Sequence, residues 1–220
     1  MLAHLAGYRV LTTEQLRRRH FPDGVVSTAR NRLGQLRGAG YVTRATLGYG
    51  QGAVWLLTPK GAAVSGTALA APRGTASSWP AQWYRHHLTV ADVAEALLAK
   101  AAPVAPARWI TEAEWCRDRR PWPTGSQRPD GVLCLTAPEG TEHRLAVEVE
   151  LHPKPARAYA AKLRWYRDRL AGGEYQRVRW YCGDDVTLRL LQIAVAASGL
   201  PAVETRPLAP LLSVLKTIAA

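Results

Sequence analysis

Three carboxylates are spaced so that a folded strand pair would gather them: Asp130 in Arg128-Pro129-Asp130-Gly131, and Glu148 and Glu150 in Leu145-Ala146-Val147-Glu148-Val149-Glu150. The two stretches read as a β-hairpin turning at Pro138-Glu139-Gly140-Thr141, because proline and glycine punctuate two apolar runs. Side chains alternate faces along a strand, so Ala146, Glu148 and Glu150 share one face, and Leu145, Val147 and Val149 share the other. A hairpin folded about residues 139–140 sets Asp130 opposite position 149, within diagonal reach of both glutamates. Like charges at one end of an apolar strand pair repel, and a cation is the usual means of holding them together. Asp130, Glu148 and Glu150 are therefore the candidate cation-binding carboxylates. The competing reading is a set of surface carboxylates balanced by the many arginines.

Elements must position these groups, and the chain supplies an α/β order for them. A helix from about Pro80 to Lys100 carries Val90, Val93, Ala94 and Leu97 at helical spacing, and a strand follows at Ala107–Thr111. A basic polar loop, 117–128, leads to the hairpin. Then come a helix over Pro155–Leu170 that breaks at Gly172-Gly173, a strand at Val178–Cys182, a helix over Asp185–Ser198, and an edge strand near 201–205. That order predicts an α/β layer about a mixed sheet.

The first 60 residues have a different character. They carry nine Lys/Arg against two acids, net +7, whereas residues 80–220 carry 19 against 15, out of a whole-chain net charge of +12. A basic excess concentrated in one small module suggests a polyanion-binding head. Thr12 with Gln15 reads as a capping box opening a helix through Arg17-Arg18-Arg19, and Ser27 reads as the N-cap of a second helix ending at Ala39-Gly40. Ala29, Leu33 and Leu36 form the buried stripe of that second helix, leaving Ser27, Asn31 and Gln35 outward beside Arg30. Strands at 41–46 and 54–58 flank Gly48-Tyr49-Gly50-Gln51-Gly52. Two helices followed by a β-wing predict a winged helix-turn-helix. Its second helix would read double-stranded DNA in the major groove through Arg30, Asn31 and Gln35, with Ser27 on a phosphate. Arg17, Arg18 and Arg44 would neutralise phosphates, and Tyr49 and Gln51 would sit at the wing tip.

The expected organisation is a winged helix over 1–65, a Gly/Ala/Ser/Thr/Pro-rich linker over 66–81, and the α/β domain over 82–220. The chain has no run of 18 apolar residues, and its first nine residues lack a basic leader followed by an apolar run. Three cysteines without a C-x-x-C pair suit reduced thiols. A cytoplasmic location without membrane attachment is expected. His86-His87 lacks a carboxylate partner at metal-ligand spacing, and no phosphate-binding or nucleophile-elbow motif is present.

The order helix, strand, Pro-Asp hairpin, Glu-x-Glu strand and Lys162-Leu163-Arg164-Trp165-Tyr166 helix resembles the PD-(D/E)xK nuclease superfamily over roughly residues 85–205. The resemblance implies that Asp130 and Glu148 bind Mg2+ or Mn2+, that the ion activates water against a phosphodiester, and that the third catalytic position is usually lysine. Here that position is Glu150, so a basic group would come from Lys162 on the next helix or from Lys154, and a further ligand from Glu95 or Glu112. Lys162-x-x-x-Tyr166 is similar to the Gln-x-x-x-Tyr of the recombination-nuclease branch. Along nearly its whole length the chain resembles the replication-relaxation family of actinobacterial plasmids and integrated mobile elements. That resemblance rests on Tyr8-Arg9-Val10-Leu11-Thr12, Ala29-Arg30-Asn31-Arg32-Leu33, Gly40-Tyr41-Val42, Leu57-Thr58-Pro59-Lys60-Gly61, His87-Leu88-Thr89-Val90, the Pro-Asp segment and Val147-Glu148-Val149-Glu150. It implies DNA binding in plasmid replication or in relaxation during transfer, with a homodimer and replication or relaxosome proteins as expected partners. Three readings stay open: a DNA-binding protein whose nuclease-like domain engages the same DNA, whether catalytic or degenerate, an active Mg2+-dependent endonuclease, and a transcriptional or copy-number regulator whose second domain serves for dimerisation or partner contact.

Overall fold

The computed structural model describes residues 1–46, 52–71, 79–119, 121 and 127–218. Among the described residues the chain is a mixed α/β protein of nine helices and eight strands, folded as two compact units, Met1–Asp92 and Val93–Ala220. None of these helices is long and apolar enough to cross a membrane.

Unit one runs α1 (Leu2–Tyr8), β1 (Val10–Thr12), α2 (Thr13–His20), α3 (Val26–Gly38), β2 (Val42–Thr46), β3 (Ala53–Leu57), α4 (Pro59–Ala63) and the first part of α5 (Ala81–Ala101). β1, β3 and β2 form an antiparallel sheet in that order, with Val10 across from Leu56 and Arg44 across from Trp55. Leu5, Val10, Leu16, Ala29, Leu33 and Val54 are fully buried at its centre. The expected capping box is present. Thr12 Oγ1 accepts from the N–H of Gln15, and Gln15 Oε1 accepts from the N–H of Thr12. Gln15 Nε2 also donates to the Leu88 carbonyl at 2.8 Å, fixing the start of α5 to α2.

The N-cap expectation at Ser27 is corrected: α3 starts at Val26 after Val25, which offers no side-chain cap, and Ser27 lies exposed in the first turn. The opposite end of α3 explains Leu57-Thr58-Pro59-Lys60-Gly61. Thr58 Oγ1 accepts from the N–H of Gly61 and donates to the Gly40 carbonyl, Pro59 opens α4, and Lys60 Nζ donates to the Ala39 carbonyl at 2.9 Å. A Cβ on residue 61 would lie 1.9 Å from the Tyr41 carbonyl oxygen, so only glycine fits. The motif therefore ties off the carbonyl end of α3, where orphan acceptors need donors.

Unit two completes α5 and continues β4 (Ala107–Thr111), α6 (Glu112–Asp118), β5 (Gly131–Thr136), β6 (Glu142–Glu150), α7 (Ala156–Ala171), β7 (Arg177–Cys182), α8 (Asp185–Ser198), β8 (Val203–Pro207) and α9 (Ala209–Ile218). Its sheet has the order β4-β5-β6-β7-β8, antiparallel through β6 and parallel beyond. The parallel joins are made by α7 and α8, since parallel neighbours require a long crossover. Trp115, Val132, Cys134, Ala146, Tyr166, Val178 and Trp180 form the core on the α6–α7–α8 side. Helices α6 and α9 fall outside the predicted elements, and α6 overlaps the start of the stretch expected to be a loop.

The hairpin register differs by one residue from expectation. Gly131 pairs with Val147 and Thr136 with Glu142, so the pairing extends Asp130 toward Glu148 and not 149. The loop between the strands has five residues, closed by Ala137 N–H to the Thr141 carbonyl and Gly140 N–H to the Ala137 carbonyl. An odd-numbered loop centres the hairpin on a residue rather than between two, and this moves every partner by one.

Candidate functional site

Two places in the chain carry the expected chemistry. In unit one it is the outward face of α3. Ala29, Leu33 and Leu36 are buried against the unit's core, and Ser27, Thr28, Arg30, Asn31, Arg32, Gln35 and Arg37 are exposed. No acidic residue lies on this 13-residue helix. Arg32 Nη1 donates to Gln35 Oε1 at 3.2 Å, which orients the amide of Gln35. Arg32 and Arg37 were not among the predicted contacts, although the same helical period that buries Leu33 exposes them. Arg44 is exposed on β2. Tyr49 and Gln51 lie outside the described residues.

Arg17 and Arg18 are placed differently from the rest. Arg17 forks onto Glu14 at 2.8–3.0 Å and also donates to the carbonyls of Pro22 and Gly24, with only 13% of its side chain exposed. Arg18 pairs with Asp92 at 2.6 Å with 12% exposed. Both guanidiniums brace the turn before α3 and the packing of α5, so their donors are engaged within the unit. His86 and His87 join the ring cluster of Trp79, Trp83 and Tyr84, with the Trp83 and His87 centroids 4.0 Å apart.

In unit two the site lies at the end of β6. Tyr159, Leu163 and Tyr166 form the buried stripe of α7, and the same face brings Lys162 and Tyr166, one turn apart, onto Glu148. The Tyr166 hydroxyl donates to Glu148 Oε1. Lys162 Nζ stands 3.0 Å from the same oxygen and donates to the Arg128 carbonyl at 2.5 Å. Asp130 Oδ2 accepts from the N–H of Val149 at 2.7 Å, stitching the Pro-Asp segment to β6. Glu150 pairs with Lys154 at 2.7 Å, and Lys154 N–H donates to the Tyr159 hydroxyl. Glu112 pairs with Arg128 at 2.5 Å rather than joining the Asp130–Glu148 pair. Gly131 has its own constraint: the Trp109 indole lies over it, and a Cβ there would come within 2.0 Å of the ring.

Burial dominates the electrostatics. Glu148 is 6% exposed, and desolvation pushes its carboxyl up to about 7, against the pull of Lys162 and with the help of the Asp130 charge. The Tyr166 hydroxyl is raised well above its ordinary range by burial and by Glu148. A carboxyl near neutrality, held by an ammonium and a phenol, shares its charge locally and leaves little for an outside ion.

The fit of a divalent ion follows from these partners. Among the described residues no group of three or more His, Cys, Asp or Glu side chains is placed to hold a metal. Glu148 Oε1 already receives a phenol and an ammonium, and Asp130 Oδ2 receives a backbone N–H. As arranged, these donors fit an ammonium, whereas Mg2+ demands near-octahedral oxygen coordination at short range. Neither Glu148 nor Glu150 has been left to repel the other, because each carries a lysine.

No curated protein and no solved structure matches the chain. The family model described as replication-relaxation matches residues 2–181, which takes in unit one from Leu2 onward and unit two as far as β7. With this match over most of its length, and with the motif at 57–61 accounted for as the clasp on α3, the chain belongs to the replication-relaxation family.

Proposed function

We propose that this chain is a double-stranded-DNA-binding protein acting in replication or relaxation of a plasmid or mobile element. In this reading unit one is a winged helix-turn-helix, with α2 and α3 as the helix pair and β2–β3 as the wing. The observation that carries it is the face of α3: seven polar or basic side chains exposed, three apolar ones buried, and no acid on the helix. Arg30, Asn31 and Gln35 have the donors and acceptors for base edges in a major groove. Ser27, Arg32, Arg37 and Arg44 take phosphates. Arg17 braces the turn before α3, and Arg18 holds α2 to Asp92 of α5. Membership of the replication-relaxation family points to the same process.

Unit two, in this reading, is a PD-(D/E)xK-like domain that does not cut. The support is the lysine on each of Glu148 and Glu150 and the absence, among the described residues, of a three-residue metal cluster. Incubating supercoiled plasmid with the full chain and Mg2+ or Mn2+, under conditions where a mobility shift shows it bound, tests both halves. Retarded but uncut plasmid is expected. Nicking that disappears in Asp130→Ala and Glu148→Ala would establish the endonuclease reading instead, and no retardation at low salt would remove the DNA-binding one.

A further inference from the structure

We infer that Lys162 is a tethered cation occupying the place a divalent ion would take, so that the native chain keeps the Asp130–Glu148 centre closed to metal. The inference extends the non-cutting reading of unit two, and it stands on the geometry of that unit whether or not unit one binds DNA.

The oxygens around the Lys162 ammonium are the kind a hard divalent cation selects, a carboxylate and a backbone carbonyl beside a second carboxylate. Nζ lies 3.0 Å from Glu148 Oε1 and 2.5 Å from the Arg128 carbonyl oxygen, and Asp130 follows two residues after Arg128. Nζ also sits 5.9 Å from the centroid of the Tyr166 ring, whose hydroxyl donates to the same carboxylate oxygen. Only 18% of the Lys162 side chain and 8% of Glu148 are exposed, so the ammonium is inside the site and not a solvated neighbour of it. A divalent ion bound to these same oxygens would stand where the ammonium now lies, and two cations so close in a poorly hydrated site repel strongly, so the ammonium has to leave for an ion to enter. The arrangement is repeated one step along β6, where Lys154 Nζ takes Glu150 at 2.7 Å. Two lysines reaching Glu148 and Glu150 offset two of the three gathered negative charges without an ion, and so reduce the repulsion that the carboxylates would otherwise feel.

Removing the ammonium uncovers the oxygens. Lys162→Ala leaves Glu148, Asp130 and the Arg128 carbonyl in place around a space one ammonium wide. Mn2+ is the probe, titrated into the full chain and followed by electron paramagnetic resonance of the ion that remains unbound, with no DNA present. Wild type and Lys162→Arg are expected to show no saturable binding, and Lys162→Ala is expected to gain one site at least about tenfold tighter than any in wild type. That site should disappear in Lys162→Ala/Glu148→Gln. Saturable Mn2+ binding by wild type that Glu148→Gln abolishes would overturn the inference, and so would a folded Lys162→Ala that gains no site. If Lys162→Ala does not fold alone, circular dichroism with and without Mn2+ decides: recovery of structure with the ion supports the inference, and no recovery overturns it. A DNA-binding failure would leave these outcomes unchanged, so the two claims fail separately.

Discussion

Replacing Tyr166 by phenylalanine deletes one oxygen from the buried centre of unit two and leaves the ring. Tyr166 is fully buried, between Trp165 and Trp180 at centroid distances of 4.8 and 5.3 Å, so no cavity beyond the hydroxyl opens. What is lost is a donor to Glu148. When Glu148 is ionised, a hydrogen bond to a charged group is worth about 1.5–3 kcal/mol, so the variant should lose about 2 kcal/mol near pH 8.5. Burial raises the Glu148 carboxyl to about 7, so near pH 5.5 it is mostly protonated and the lost bond is a neutral one, worth about 1 kcal/mol. Linkage agrees in sign. The folded chain holds a proton on Glu148 that the unfolded chain has released, so this contribution is full below about 4.5 and is lost as pH rises through about 7. Without the phenol the carboxyl is raised further, and stability must fall more steeply with rising pH. Urea melts at the two pH values, read by tryptophan fluorescence beside the altered ring, measure both costs. In a Glu148→Gln background the pH dependence of the Tyr166→Phe cost should vanish. A cost below about 0.5 kcal/mol at both pH values, or one that grows toward acid, would refute the proposed network.

Gly131→Ala should destabilise unit two by about 1–3 kcal/mol, because the new Cβ meets the Trp109 indole within 2.0 Å; an unchanged melting temperature would count against the packing described. In unit one, His4 Nδ1 and His20 Nε2 are 3.3 Å apart, and burial first, then nearby positive charge, pushes His4 down to about 3 and His20 to about 4. The unfolded chain takes up protons below its ordinary histidine value of about 6.5 and the folded chain does not, so stability is present above about 6.5 and lost as pH falls toward 4. Thermal melts at pH 7.5 and 5 should show a larger acid loss in wild type than in His4→Gln/His20→Gln, which keeps the opposing contribution of Glu148; the same pH dependence in both proteins would contradict it.

The parts of the fold that were legible in the sequence are those fixed locally. The Thr12–Gln15 capping box and the Ala29-Leu33-Leu36 stripe each announce themselves within a few residues, and the structure has both, whereas β6 is buried on both faces from Ala146 to Glu150 and its alternation does not separate inside from outside. Ser27 misled because α3 begins without any side-chain cap, so the best capping residue nearby attracted the assignment. Helix α6 had a readable signal, Thr111 with Glu114 as a reciprocal capping box, but its seven residues sit beside a run of arginines that reads as loop. The hairpin register depended on whether its loop holds an odd or even number of residues, which composition does not state. The engagement of Arg18 with Asp92 joins positions 74 residues apart and was invisible to any local pattern, as was the seating of Lys162 on the Arg128 carbonyl. At the candidate site the residue types were legible and their partners were not. The three carboxylates suggested an ion, and the lysines that neutralise two of them come from a turn and a helix whose approach only the fold reveals.

The central claim is that α3 reads DNA, and the dependence of affinity on salt for the full chain tests it most directly. Fluorescence anisotropy with duplex oligonucleotides across about 50–200 mM salt should give a linear fall of log affinity with log salt, and each phosphate-contacting arginine removed from α3 should reduce that slope by about 0.9. Arg32→Ala/Arg37→Ala is therefore expected to flatten the slope by nearly two, while Asn31→Ala and Gln35→Ala leave the slope and instead reduce discrimination between duplex sequences by about 1–3 kcal/mol. Duplex binding that is insensitive to salt, or that none of these substitutions alters, would contradict the account.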